Sequence, residues 1–89
     1  MIQQTLPIIN KLGLHARAAS KFVKLASGFK SNILIKKGER QANGKSIMGL
    51  MMLAASCGSS IEVSIDGPDE QAAFEAIEDL LARRFDEGE

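Results

Sequence analysis

The 89-residue chain has no tryptophan, no tyrosine and only one cysteine, and these shortages argue against base stacking and exclude an intramolecular disulfide. Its four phenylalanines are the only aromatic side chains, so the sequence offers no aromatic platform on which nucleic-acid bases could stack. A lone cysteine, Cys57, cannot form an intramolecular disulfide, which fits a reducing cytoplasm. Its apolar neighbours predict a buried and inert thiol.

An excess of charge and a long apolar run are also missing. Eleven basic and eleven acidic residues give a formal net charge of zero, whereas a general nucleic-acid binder usually carries a basic excess. The chain does not begin with the basic and then apolar pattern of a signal peptide. Its longest apolar run, 47–55, is broken by Gly49 and is too short to cross a bilayer. We therefore expect a soluble, cytoplasmic protein with no nucleic-acid or membrane partner.

Hydrophobic periodicity predicts alternating strands and helices in one domain over 1–89. The hydrophobic content of 45% is typical of a globular protein. Alternation and capping signals, including Gly28 as a helix stop and Asp69 at a helix entry, define the elements. Strands are predicted over 1–9, 32–37, 39–42 and 60–66, helices over 16–27, 47–53 and about 69–84, and a short acidic tail follows.

The order β-α-β-β-α-β-α predicts an α+β fold. Two strands joined by a helix crossover lie parallel with room for another strand between them, and the apolar strand 60–66 is the natural candidate for that place. We predict an open-faced β-sandwich, in which a four-stranded antiparallel sheet carries three helices on one face. The charged segment 39–42 is expected to form an edge strand.

The only histidine, His15, lies beside Arg17 where a loop turns into the first helix. Helix starts attract anions, because their first N–H groups are unpaired and the helix dipole places positive charge there. The same dipole disfavours a charged imidazolium, and a neutral imidazole is a nucleophile. This pattern favours a histidine that carries a phosphoryl group, although a lone histidine at a helix start is more often purely structural.

A second candidate site follows the turn at Asn43. Ser46 is a good N-cap for the short helix 47–53, and capping alone would explain a serine there. That helix is apolar nearly all round, so one side of it must remain exposed in so small a protein. We expect Leu50 and Leu53 to face the core, and an adaptable partner-binding patch to form from Ile47, Met48 and Met51.

Both motifs resemble those of the HPr family, the phosphocarrier proteins of the phosphoenolpyruvate-dependent sugar phosphotransferase system. The segment 13–17 followed by Ala19 is similar to the phosphohistidine motif, and the segment 43–51 is similar to the regulatory serine motif. The resemblance covers essentially the whole chain. It departs at Ala18, where the family usually has proline. We expect that difference to change stability by at most about 1 kcal/mol and to leave the chemistry unchanged.

The resemblance implies a role for each site residue. Nδ1 of His15 would take a phosphoryl group from enzyme I and pass it to IIA domains of sugar permeases or regulators. Arg17 and the backbone N–H groups of Ala16 and Arg17 would stabilise the phosphoryl oxygens. The protein would thus be a monomeric carrier without metal or cofactor, acted on by other enzymes rather than an enzyme itself. Ser46 would be the target of an HPr serine kinase/phosphorylase.

Two other interpretations stay open at this point. One is a paralogue that serves a nitrogen-related or purely regulatory phosphorelay. The other, of a different class, is a non-catalytic ligand-binding regulatory domain, since the split β-α-β fold hosts many such modules. A metal chaperone is disfavoured, because the sequence has neither a Cys-x-x-Cys motif nor clustered histidines.

Overall fold

A computed structural model of the chain describes residues 1–86, which form a four-stranded sheet and three α-helices. The end of the acidic tail, residues 87–89, lies outside the described residues. The strands are β1 (Ile2–Pro7), β2 (Asn32–Lys37), β3 (Arg40–Asn43) and β4 (Ser60–Asp66), and the helices are α1 (Ala16–Ala26), α2 (Ile47–Met52) and α3 (Glu70–Ala82).

The sheet has the order β1-β4-β2-β3, and every neighbouring pair is antiparallel. Strand β4 therefore lies between β1 and β2, which run parallel to each other as the crossover predicted. Val63 at the centre of β4 faces Gln4 on one side and Ile35 on the other. Strand β3, predicted over 39–42 and observed over 40–43, is an edge strand, and the predicted α+β sandwich topology is confirmed.

The core lies between the sheet and the helices. In β4, Ile61, Val63 and Ile65 are buried, while the intervening Glu62 and Ser64 are partly exposed. Helix α1 places Phe22 in the core and α3 places Ile77 there. The opposite face of the sheet is open, since Leu34 of β2 remains 40% exposed.

The chain leaves α3 earlier than predicted, after Ala82 rather than at Arg84. Residues 84–86 have φ angles of 56°, 55° and 63° and form a left-handed turn. This turn directs Phe85 into the core, where it is buried, and Nζ of Lys21 donates to its carbonyl oxygen at 2.6 Å. Burial of a large aromatic side chain offsets the cost of the left-handed backbone.

Asp69, part of the predicted helix-entry signal, directly precedes α3, and its side chain binds elsewhere. Its side chain makes no capping hydrogen bond to α3. Instead, the carboxylate accepts hydrogen bonds from the backbone N–H of Lys30 at 2.8 Å, the backbone N–H of Ser31 at 3.0 Å, and the Ser31 hydroxyl. These bonds tie the start of α3 to the residues preceding β2. With the Ser31 hydroxyl contributing most, they lower the pKa of Asp69 below its ordinary value of 3.8.

The hydrogen bonds from Lys30 and Ser31 to the Asp69 carboxylate, called the Asp69 clamp below, predict a loss of stability in acid. Because the folded carboxyl has the lower pKa, its contribution is fully present above pH 3.8 and is lost as the pH falls further. Asp69→Asn should therefore be less stable than the wild type at about pH 6, with a smaller difference at about pH 3. Urea unfolding of both proteins at the two pH values measures this. A difference that does not change with pH would contradict the prediction.

Candidate phosphoryl-acceptor site

His15 is the N-cap of α1, and its imidazole closes onto the first turn of that helix. Its backbone is extended, with φ −76° and ψ 178°, and Nδ1 accepts a hydrogen bond from the backbone N–H of Arg17 at 3.3 Å. A ring nitrogen that accepts a hydrogen bond carries a lone pair rather than a proton. The half-buried ring therefore directs Nδ1 at the positive end of the helix.

The loop that precedes His15 is hydrogen-bonded to the segment after α2. The backbone N–H of Leu14 donates to the carbonyl of Ala55 at 2.8 Å. Gly13 has φ +65°, and a Cβ at this position would lie 2.4 Å from the Ala55 carbonyl oxygen. Only glycine combines this left-handed backbone with so close an approach. The histidine loop and the exit of α2 are thus one structural unit.

The other residues predicted for the acceptor site lie next to His15 in the first turn of α1. Ala16 and Arg17 are exposed in the first turn of α1. Within residues 1–86, the Arg17 guanidinium makes no hydrogen bond or ion pair, which leaves its planar fork available to an anion. Ala18, the departure from the family pattern, is fully buried against the core.

Ser46 caps α2 as predicted. Its side-chain oxygen accepts a hydrogen bond from the backbone N–H of Gly49 at 3.1 Å. The preceding turn is held by Asn43, whose side-chain oxygen accepts from the backbone N–H of Lys45 at 2.8 Å. Gly49 is explained by the packing of α2 on β3, because a Cβ there would lie 3.1 Å from the Cβ of Ala42.

The short helix α2 divides its apolar side chains between core and solvent. Leu50 and Leu53 are buried, as predicted. The exposure of the predicted patch is also confirmed. Sequence reasoning missed two further exposed side chains, Met52 at 70% and Leu12 at 66%. The α2 patch consists of Ile47, Met48, Met51 and Met52, which are all exposed.

The prediction of a buried thiol is wrong, because Cys57 is exposed. The chain turns sharply around it, with φ +55° at Ala54 and φ +92° at Gly58. The backbone N–H of Gly58 donates to the carbonyl of Ile8 at 2.9 Å. The Cys57 sulfur lies 3.8 Å from the carbonyl oxygen of Ile9 and remains at the surface. Composition alone could not place the turn.

Residues 1–86 contain no group of three or more histidine, cysteine, aspartate or glutamate side chains able to hold a metal ion. In the same part of the chain, every helix is too short or too polar to cross a membrane.

Comparison with known proteins agrees with this geometry. The family profile described as "PTS HPr component phosphorylation site" matches residues 2–83. A phosphocarrier protein HPr from Neisseria meningitidis is 55% identical over 89 residues and covers 100% of both chains. A phosphocarrier protein NPr from Shewanella violacea is 44% identical over 86 residues, covering 97% of this chain and 94% of the relative.

Solved structures give the same result for the fold. The crystal structure of HPr-C-His from Thermoanaerobacter tengcongensis superposes with a TM-score of 0.94 at 45% identity and covers 98% of each chain. Sequence and fold therefore agree with these relatives over nearly the whole molecule. The chain belongs to the HPr family, whose members are phosphocarrier proteins of the phosphotransferase system rather than enzymes.

Proposed function

We propose that the chain accepts a phosphoryl group on Nδ1 of His15 from phospho-enzyme I and passes it to IIA domains. One observation carries the proposal, namely the hydrogen bond that Nδ1 of His15 accepts from the Arg17 N–H at the start of α1. A nucleophilic lone pair on Nδ1 thus lies next to an N–H group that can donate to phosphoryl oxygens. Cys57 is the only cysteine and cannot form an intramolecular disulfide, which supports a reducing, cytoplasmic location for this reaction.

The transfer itself needs little movement. The Nδ1 lone pair forms the N–P bond while the bond from phosphorus to the donor breaks, and that electron pair stays with the donor. As phosphorus approaches, the Arg17 N–H releases Nδ1 and donates to a phosphoryl oxygen instead. The Ala16 N–H and the Arg17 guanidinium balance the remaining negative charge. The Nε2 proton can leave to solvent, and transfer to a IIA domain reverses these steps.

Intact mass measurement tests the proposal. The protein is incubated with phosphoenolpyruvate, Mg²⁺ and a sugar-type enzyme I, and one acid-labile, base-stable phosphoryl adduct is expected. A separate HPr serves as the control that the enzyme I is active. Absence of the adduct while the control is charged would contradict the proposal.

A nitrogen-related relay is the second candidate, and the similarity to an NPr favours considering it. The two functions use the same chemistry and differ in the enzyme I that docks. Parallel charging rates with a sugar-type and a nitrogen-type enzyme I therefore separate them. We expect the sugar-type enzyme to be the faster donor, because Ser46 and the α2 patch resemble the sugar-system motif.

We further propose that the α2 patch is the docking surface for enzyme I and IIA domains. Flexible methionine side chains suit a surface that must adapt to several partners. A carrier that releases each partner quickly needs only a modest interface, so a monomer suffices. The exposed Leu12 lies three residues before His15 in the loop attached at Ala55, and we include it in the proposed docking surface.

Met48→Ala is expected to raise KM for charging by enzyme I about fivefold with little change in kcat, because it removes docking area and no reacting group. Steady-state kinetics with a fixed amount of enzyme I measures both constants. Leu34→Ala, a similar truncation on the open face of the sheet, is the matched control and should leave KM unchanged. Equal effects of the two substitutions would contradict docking on α2.

Ser46 is proposed as a regulatory phosphorylation site for a serine kinase/phosphorylase. Its side chain is half-buried at the start of α2, next to the α2 patch. A phosphate there could still accept the Gly49 N–H, so the fold would tolerate it. Its negative charge would lie at the surface that meets enzyme I, where like charge slows association.

Ser46→Asp should therefore slow charging by enzyme I about tenfold, and added salt should reduce the effect. Gln4→Glu places a negative charge on an exposed position of β1, at the edge of the sheet opposite to β3, and is expected to leave the charging rate unchanged. Rapid-quench charging assays on both variants measure the difference. Charging of Ser46→Asp at the wild-type rate would contradict this role.

A further inference from the structure

Two polar residues are completely buried among the described residues, Asn10 and Ser31. Burial of a polar side chain is costly unless it is hydrogen-bonded. Ser31 is used by the Asp69 clamp at the start of α3. Asn10 lies instead in the loop that leads from β1 to His15, where nothing in the acceptor chemistry requires it.

Asn10 closes that loop with two hydrogen bonds to the same residue. Its side-chain Nδ2 donates to the carbonyl of Gly13 at 2.8 Å, and its backbone carbonyl accepts from the N–H of Gly13 at 3.2 Å. Both polar groups of the Gly13 backbone are therefore held by Asn10. The next residue, Leu14, is held by Ala55.

We propose that Asn10 is a positioning residue for phosphoryl acceptance, an inference that rests on the proposed function. The two bonds fix the Gly13 backbone in its left-handed conformation and so aim the next two residues. Leu14 then reaches Ala55, and His15 begins α1 with Nδ1 pointing at the Arg17 N–H. Without the Nδ2 bond the loop can shift, and the direction of the Nδ1 lone pair shifts with it.

Small displacements of a reacting atom have large effects on rate, up to about 10²-fold for about 1 Å. Asn10→Ala should therefore slow charging by enzyme I about tenfold or more, mainly in kcat, because it affects orientation and not docking. The same variant should shift the NMR signal of the Arg17 amide, which reports its hydrogen bond to Nδ1.

Ser31→Ala is the matched control, since it removes the other fully buried polar side chain. It should lower stability but leave both the charging rate and the Arg17 amide signal unchanged. All proteins are compared at a temperature where each is fully folded. Asn10→Ser, which keeps a polar side chain too short to reach Gly13, replaces Asn10→Ala if that variant does not fold.

The outcomes separate the two proposals. Slow charging with a shifted Arg17 amide, in the Asn10 variant only, establishes the positioning role. Wild-type charging with an unshifted amide, or equal effects of Asn10→Ala and Ser31→Ala, overturns it while the carrier function stands. If the wild type itself is not charged, the proposed function fails, and an unshifted amide in the Asn10 variant would overturn the positioning role as well.

Discussion

Replacing His15 with alanine is expected to abolish charging by enzyme I, with the rate falling by more than about 10³-fold. His15 is the only histidine in the chain, so no second imidazole can take over. The exposed thiol of Cys57 lies 3.8 Å from the carbonyl oxygen of Ile9 and is not a nitrogen nucleophile. Nothing else at this helix start offers a nitrogen lone pair to phosphorus.

Alanine also removes the N-cap, which typically costs about 1 kcal/mol. His15→Asn separates the two losses, because asparagine is a good N-cap whose oxygen can accept the Arg17 N–H but has no nucleophilic ring nitrogen. Both variants should fail to form the adduct, and His15→Asn should be the more stable of the two. Single-turnover charging with intact mass detection and thermal unfolding measure these properties.

A phosphoryl adduct that persists on either variant would show that another residue is the acceptor. Peptide mapping at alkaline pH, where phosphohistidine is stable, would then locate it. A stable His15→Asn that charges at the wild-type rate would remove the central claim of the proposed function. Loss of charging in a variant that does not fold says nothing about the acceptor residue. The better-capped His15→Asn variant therefore decides whether His15 is the acceptor.

The fold was predictable where local pattern and burial agree. Strand β4 has strict alternation of Ile61, Val63 and Ile65 with polar residues, and its predicted limits are those observed. Its central place in the sheet was predicted from this apolar alternation, and all three of its apolar side chains are buried there. Ser46 was equally clear, because a serine before an apolar helical segment has a local capping role.

Features that depend on partners far along the chain were not predictable. Asp69 belongs to the predicted helix-entry signal, but its side-chain hydrogen bonds go to Lys30 and Ser31, 39 and 38 residues away. The left-handed turn that buries Phe85 and the exposed Cys57 both depend on backbone angles that residue types do not signal. In each case a tertiary contact decides between several conformations that are locally acceptable.

The acceptor site was likewise predictable in its local features and not in its long-range contacts. Its residues could be named from the sequence, because a helix start and a histidine with an arginine two positions later are local features. The attachment of its loop to Ala55 could not, because the contact joins segments about forty residues apart. Gly13 was part of the motif, yet the reason for its being glycine appears only when the exit of α2 lies against it.

Gly13→Ala is accordingly expected to destabilise the protein by about 3 kcal/mol or more, from two effects that add. The backbone at φ +65° is unfavourable for any residue with a Cβ. The new methyl would also lie 2.4 Å from the Ala55 carbonyl oxygen and 2.8 Å from Cα of Ser56, both backbone atoms that cannot rotate away. The loop and the exit of α2 must separate to accept it.

Gly38→Ala isolates the first of these effects, the left-handed backbone. Gly38 has nearly the same backbone, with φ +61°, but nothing lies within 4 Å of a Cβ placed there. It should cost only about 1 kcal/mol, the strain of the left-handed backbone alone. Urea unfolding of both variants gives the two losses, and equal losses would mean that the loop yields without cost. Since Leu14 and His15 follow Gly13 directly, the separation that relieves the clash also moves Nδ1, so Gly13→Ala should slow charging while Gly38→Ala should not.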